Sequence, residues 1–402
     1  MALTPAEEAV FGQRVDHAHD GDAMEIEILG ATLMMKHVMS PRSRVLAALA
    51  GEPVDRVPVF PVTTRNLGGR ALGRQVGDFE LEPRLVFQGM RAIWRRFGVD
   101  GLECGFGPAR DSVPPRLEMR DGTPYLVDAE GTPVAIFQED DDPLPLHATP
   151  LLQEKGDLDQ LAVTPAEDYE RSGRLDDLRA LRAAVGDELA IAGCPASQTM
   201  NSLAAWRGNE QAIFDLVDDP EFAHAAMDVA TAISIEAGKA YVAAGVDCLY
   251  IGDAWSSASV ISPRQFEAFC LPRYARAVEE FHRLGVPVYL HICGNCMPLL
   301  EMMADTGVDA IEPLDALGGV VVSEVVRRVG HRVSLKGGVS TLTLLRGTPD
   351  EVRAEARMVL EATVGRCRGI LLGSGDDIPR DTPFANLDAM VEVARSFPVE
   401  VL

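Results

Sequence analysis

The reactive side chains of this chain concentrate in His291-Ile292-Cys293-Gly294-Asn295-Cys296, which continues the apolar run VPVYLH (286–291). On a β-strand, residues i and i+2 face the same side, so His291 and Cys293 can converge on one point. Two zinc ligands must do that, with metal–ligand distances of about 2.0–2.3 Å. Zinc would lower the pKa of a bound thiol and hold it as a thiolate, a good nucleophile at neutral pH. A hydrogen-bonded histidine beside a buried cysteine accounts for the same short spacing. Cys296 extends the segment to C-x-x-C, and reads equally well as a small residue in the first turn of the next helix.

Other polar residues fall where apolar runs end. Arg65 and Asn66 come shortly after the first run, and Glu103 with Cys104 ends the second. Cys194, Gln198 and Asn201 follow the third. Asp253 closes the next, and Glu312 with Asp315, Lys336, and Ser374-Gly375-Asp376-Asp377 close the later ones. Polar groups at the ends of core strands are costly unless paired or used. Arg65, Asn66, Glu103, Gln198, Asn201 and Lys336 are therefore candidate substrate contacts. Asp253 and Glu312 are candidate general bases, with hydrogen-bond anchors or N-caps as the plainer reading. Lys336-Gly337-Gly338 would put a cation near an anionic ligand, or is a plain turn. Met34, Met35 and Met39 read as packing or tail residues. No G-x-G-x-x-G follows a strand and no G-x-x-x-x-G-K-[ST] occurs, which removes dinucleotide-binding and P-loop readings.

The elements that must position these groups repeat along the chain. A helix ends on glycine and an apolar strand follows at Gly98-Val99-Asp100, Gly245-Val246-Asp247 and Gly307-Val308-Asp309, and more loosely at Gly285-Val286-Pro287 and Gly330. Glycine just past a helix takes the left-handed C-cap conformation without steric cost. Asp219-Pro220, Ser262-Pro263, Thr348-Pro349 and Thr382-Pro383 read as helix starts, with a capping box in Ser262-Pro-Arg-Gln265. After Pro220, the apolar positions Phe222, Ala226, Val229, Ile233, Ala237, Ala240 and Ala244 predict one buried helical stripe. The strands are continuous apolar runs at 57–62, 101–104, 189–194, 248–253, 286–291, 309–313, 332–337 and 369–374, as expected of parallel strands covered on both faces. Eight strands alternating with helices predict an α/β fold, a (β/α)8 TIM-type barrel, with a doubly wound open sheet as runner-up. Catalytic groups would then sit at the C-terminal strand ends.

Two stretches break the alternation. Residues 116–136, with turns at Asp121-Gly122 and Glu130-Gly131, predict a β-hairpin insertion after the second strand. Residues 138–150 are acidic and Pro-rich and read as a surface connection. Residues 1–38 form an N-terminal extension, a tail or an arm over a neighbouring subunit, ahead of a barrel over 39–402.

Bulk properties narrow the function classes. Lys+Arg 37 against Asp+Glu 61 gives a net charge of −24, which repels nucleic-acid phosphates and anionic membranes. No apolar run approaches the roughly 20 residues of a membrane span, and residues 1–22 lack a signal peptide's apolar centre. Seven scattered cysteines suit reduced thiols in the cytoplasm rather than a disulfide framework.

The chain resembles the uroporphyrinogen decarboxylase superfamily over residues 40–397. The resemblance rests on PRSRVLAAL (41–49) with PVDRVPV (53–59), Ser262-Pro263 with Phe266, HICGN (291–295), GVDAIEP (307–313) and GSGDDIPRDTPFANLDAM (373–390). It implies a (β/α)8 barrel. The decarboxylase branch carries M-R-Q-A-G-R after its first strand to hold substrate carboxylates. Residues 63–70 here read TTRNLGGR and lack that pattern. H-x-C-G-N is similar to the corrinoid-dependent methyltransferase branch, the methylcobalamin:coenzyme M methyltransferases and their relatives. There the resemblance implies zinc on the His and Cys of H-x-C and on a second Cys near the last strand. Asp376 stands at that position here, a harder ligand and a poorer match to thiol alkylation. The open readings are zinc on His291, Cys293 and Asp376; zinc completed by Cys296; or no metal, with carboxylates binding substrate. The resemblance further implies methyl transfer between a small molecule (methoxylated, methylamine-type, thiol or folate-type) and cobalamin carried by a partner corrinoid protein. A bound metal would act as Lewis acid; without one, Asp376, Asp377 or Glu312 would supply proton transfer or electrostatic positioning. A decarboxylase and a non-catalytic ligand-binding barrel are the rivals, and homo-oligomerisation is left open.

Overall fold

A computed structural model describes residues 23–29, 32–63, 65–146, 150–312 and 314–399, with the side chains of 23–37 left aside. Of the N-terminal extension, residues 1–22 therefore lie outside the described residues, as do the side chains of Met34 and Met35. Strands β1 (Ala23–Leu29) and β2 (Thr32–Val38) pair as an antiparallel hairpin. Strand β3 (Gly101–Cys104) follows. Then come β4 (Arg116–Arg120), β5 (Thr123–Val127), β6 (Pro133–Ile136) and β7 (Leu144–Pro145), an antiparallel sheet of four strands where the sequence predicts a simple hairpin. The acidic segment expected to be a plain connection supplies the last of these.

The remaining strands are β8 (Ala190–Gly193), β9 (Cys248–Gly252), β10 (Val288–His291), β11 (Ala310–Glu312), β12 (Ser334–Val339) and β13 (Ile370–Ser374). With β3 they make a seven-stranded parallel sheet in the order β13-β12-β11-β10-β9-β8-β3. Helices intervene between these strands, as a parallel sheet requires.

The run at 57–62, expected to be the first barrel strand, is not a regular strand. It forms one parallel bridge, Val59 to Leu372. The Phe60 N–H donates to Leu372 O at 2.8 Å, and the N–H groups of Asp100 and Gly101 donate to Val59 O at 2.8 and 3.3 Å. The segment thus bonds to both edges of the seven-stranded sheet. Pro58 and Pro61 have no N–H to give, so a continuous ladder cannot form.

The Gly-Val-Asp seams mark the other end of the strands. Asp100 Oδ2 accepts from Val59 N, Asp247 Oδ2 from Ile191 N and Asp309 Oδ2 from Val288 N, at 2.8, 2.7 and 2.8 Å. Each carboxylate thereby ties its own strand to the one before it in the ring. Arg44 and Arg56 face Asp100, Arg42 and Arg182 face Asp247, and His282 faces Asp309.

In the helix Pro220–Ala243 the buried face runs through Phe222, Ala223, Ala226, Met227, Ala230, Thr231, Ser234, Ala237 and Tyr241. Val229 and Ile233, expected on that face, are only half-buried. Small residues rather than large ones let this helix approach the sheet. The capping boxes at Ser262 and Thr348 are formed as their sequences require.

Candidate active site

Side chains two apart on a strand share a face, and this places an inward-facing row near the C-terminal ends of the sheet. His291 pairs in register with Glu312. Glu103, Tyr250, Tyr289 and Lys336 belong to the same interior, which lower down is filled by Phe60, Ala190, Ala192, Cys248, Ala310 and Leu371. Above this layer lies a cavity of about 360 Å³. Val62, Thr63, Arg65, Met90, Ile93, Glu103, Cys104, Cys194, Tyr250, His291, Asp376 and Asp377 contribute to its wall.

Three ligand-type atoms meet beside the cavity, which His291 and Asp376 line. One atom each from His291, Cys293 and Asp376 lie within 4.8 Å of one another. His291 is brought there as the last residue of β10, and Cys293 follows in the turn that Gly294 makes at φ +79. Gly375 lets the loop after β13 lie against Asp315, because a Cβ there would come within 2.9 Å of Asp315 Oδ1. That close approach delivers Asp376, whose Oδ1 lies 3.5 Å from His291 Nε2.

The opposite side of the imidazole is occupied too. His291 Nδ1 lies 3.3 Å from Glu312 Oε2, and neither of these buried atoms has another hydrogen-bond partner. Burial is the largest influence on His291 and disfavours its charge, but Cys293, Glu312 and Asp376 outweigh it and raise its pKa to about 10. Burial also works to raise the pKa of Glu312, yet Lys336 and then His291 bring it below the usual carboxylate range.

The donor set suits a zinc ion. It offers a nitrogen, a sulfur and an oxygen close together, donor types that zinc accepts. The orphaned Nδ1–carboxylate contact is the arrangement that orients a metal-binding imidazole from behind.

Other sequence-derived candidates have different places. Arg65 lines the cavity but is paired with Glu80 and, at 2.7 Å, with Asp142. Glu103 and Asp377 line it as well. Asn66 lies on the same helix as Arg65, outside the lining. Asp253, a candidate base, is fully buried and accepts from Ser197 Oγ, Thr199 Oγ1 and Asn201 N at 2.5, 2.6 and 2.9 Å. It anchors the start of the helix Met200–Arg207 and does not reach the cavity. Gln198 is buried against Ser234, and Asn201 accepts from Trp255 N. Neither lines the cavity.

Lys336, expected near an anionic ligand, is buried between Glu312 and Glu103 beneath the cavity. Cys296, the alternative ligand, packs into the core with no exposed surface, and burial pushes its thiol up to about 11. Tyr250 was not singled out from the sequence. Its ring centre lies 5.5 Å from that of His291, and the signal was its position two residues after inward-facing Cys248.

Comparison with known proteins agrees with this architecture. A methyltransferase from Methanosarcina mazei superimposes with a TM-score of 0.71 at 25% identity, over 89% of this chain and 99% of that one. The methylcobamide:CoM methyltransferase MtaA of Methanosarcina barkeri is 28% identical over 87% of this chain and 96% of its own length. A uroporphyrinogen decarboxylase of Anaeromyxobacter sp. is 27% identical over 88% of this chain and 98% of its own. Among the described residues no helix is long and apolar enough to cross a membrane. The family model for uroporphyrinogen decarboxylase (URO-D) matches residues 126–397, and the chain belongs to that family.

Proposed function

We propose that this protein transfers a methyl group between a small molecule and the corrinoid of a separate protein, in the cytoplasm. The observation that carries the reading is the convergence of His291, Cys293 and Asp376, of which His291 and Asp376 line the cavity. The similarity to methylcobamide:CoM methyltransferases along nearly their whole length supports it. The sequence has no D-x-H-x-x-G segment, so cobalamin is taken to arrive on a partner.

His291, Cys293 and Asp376 would hold zinc. The ion would supply Lewis acidity toward a methyl donor or acceptor. Glu312 holds the imidazole from behind, and Asp377, which lines the cavity, would steer or take up a proton. Val62, Met90 and Ile93 give the cavity an apolar stretch of wall suited to a methyl group. Asp376 makes the donor set harder than one with two thiolates, which weighs against thiol alkylation and toward a methoxylated, methylamine-type or folate-type substrate.

The decarboxylase reading fits the cavity less well. A ligand with several carboxylates needs several cations, and Arg65 in the lining is already engaged by Glu80 and Asp142. Glu103, Asp376 and Asp377 would repel such a ligand.

Elemental analysis of the purified protein with its Cys293→Ala and Asp376→Ala variants tests the site. Zinc near one per chain, lost in both variants, supports the reading, and a metal-free wild type refutes the zinc site. Methyl exchange with free methylcobalamin, followed by its absorbance, tests the reaction. Turnover of uroporphyrinogen without any corrinoid would replace this reading with a decarboxylase.

A further inference from the structure

Lys336 is a fully buried cation that the proposed reaction does not touch. Its Nζ pairs with Glu312 Oε1 and lies 3.2 Å from Glu103 Oε1. It also sits 4.5 Å from the ring centre of Phe60 and 5.0 Å from that of Tyr289. The Tyr289 hydroxyl donates to Glu103 at 2.9 Å, so this second carboxylate is held as well. Glu312 is thereby gripped at both ends, with Oε1 on Lys336 and Oε2 facing His291 Nδ1.

An imidazole can bind a metal through either nitrogen, and a carboxylate on one N–H selects the other. A carboxylate that is not itself restrained could instead turn toward the ion, since zinc accepts Asp and Glu oxygens. We propose that Lys336 is a positioning residue that fixes Glu312, so that His291 presents Nε2 to the metal and Glu312 stays out of the coordination shell. This rests on the zinc reading of the site. It assigns the fourth coordination position to an exogenous ligand rather than to Glu312.

The test measures zinc affinity by chelator competition, and the visible spectrum of the cobalt-substituted protein. Wild type, Lys336→Gln, Glu312→Gln and the double variant are compared. Each single change is expected to weaken zinc binding by about 10–100-fold, as loss of an outer-shell partner does. The double variant is expected to be no weaker than the weaker single, because both act through one contact. The cobalt bands of Lys336→Gln should shift as the surroundings of His291 and Glu312 change.

Wild-type affinity and an unchanged cobalt spectrum in Lys336→Gln would overturn the proposal, as would losses that multiply in the double variant. If Lys336→Gln does not fold, the Lys336→Met, Glu103→Gln pair removes the charge imbalance and must show the same loss. A wild type that binds neither zinc nor cobalt would sink the zinc reading itself, and with it this proposal. A wild type that binds while Lys336→Gln binds equally well with the same cobalt spectrum sinks this proposal alone.

Discussion

Both ends of the parallel sheet carry a row of carboxylates, and the two rows are built differently. At the N-terminal ends Asp100, Asp247 and Asp309 each accept a backbone N–H from the neighbouring strand and face arginine or histidine. Their bonding is complete within the fold. At the C-terminal ends Glu312 faces His291 through an oxygen with no other hydrogen-bond partner, and Asp376 meets His291 and Cys293 beside a cavity. The same residue types serve cohesion at one end and leave ligand capacity at the other. A backbone N–H from the neighbouring strand marks the first kind, and an unsatisfied buried atom marks the second.

The comparison breaks most visibly at the closed end. Asp100→Ala leaves Arg44 with Asp55 alone and takes a carboxylate from Arg56, and loss of one member of a buried ion pair costs about 3–5 kcal/mol. Chemical denaturation should show that loss, while whatever protein stays folded keeps its metal. Next comes Cys293→Ala at the open end. Zinc content and methyl transfer should fall at least about 100-fold in assay, with the unfolding midpoint of the metal-free protein almost unchanged. A large drop in that midpoint would mean that Cys293 belongs to the cohesive class instead.

A third variant sharpens the contrast. Asp376→Cys should keep zinc, tighten it by about tenfold in chelator competition, and shift reactivity toward thiol acceptors. pH provides a fourth test. His291 has its pKa raised to about 10, above the unfolded value near 6.5, so its contribution to stability is fully present below about 6.5. It is lost as pH rises through about 10. The metal-free protein should therefore melt at lower temperature as pH goes from 7 to 10, and His291→Gln should flatten that slope. The smallest effect belongs to Asn201→Ala, which removes one acceptor from Trp255 N. It should cost about 1 kcal/mol in denaturation and leave substrate KM alone.

Much of this was legible in the sequence because the relevant signals are local. Gly-Val-Asp marks the helix-to-strand seam, and H-x-C marks two side chains on one face. The strand at 57–62 was overread because an apolar run says nothing about N–H supply, and two prolines withhold it. The buried role of Lys336 was not legible, since its partners lie 24 or more residues away in sequence; for Asp253 the hydrogen-bond anchor was among the readings, but its partners 52 or more residues away were not. Cys296 resembled a ligand by spacing, but the turn at Gly294 carries it into the core. Tyr250 was missed because aromatic residues in apolar strands usually only pack.

The most direct test of the central claim is X-ray absorption at the zinc edge of the purified protein. The account predicts one sulfur and several nitrogen or oxygen neighbours per zinc, with the sulfur lost in Cys293→Ser. Two sulfurs, or a sulfur that survives that substitution, would contradict the His291, Cys293 and Asp376 site.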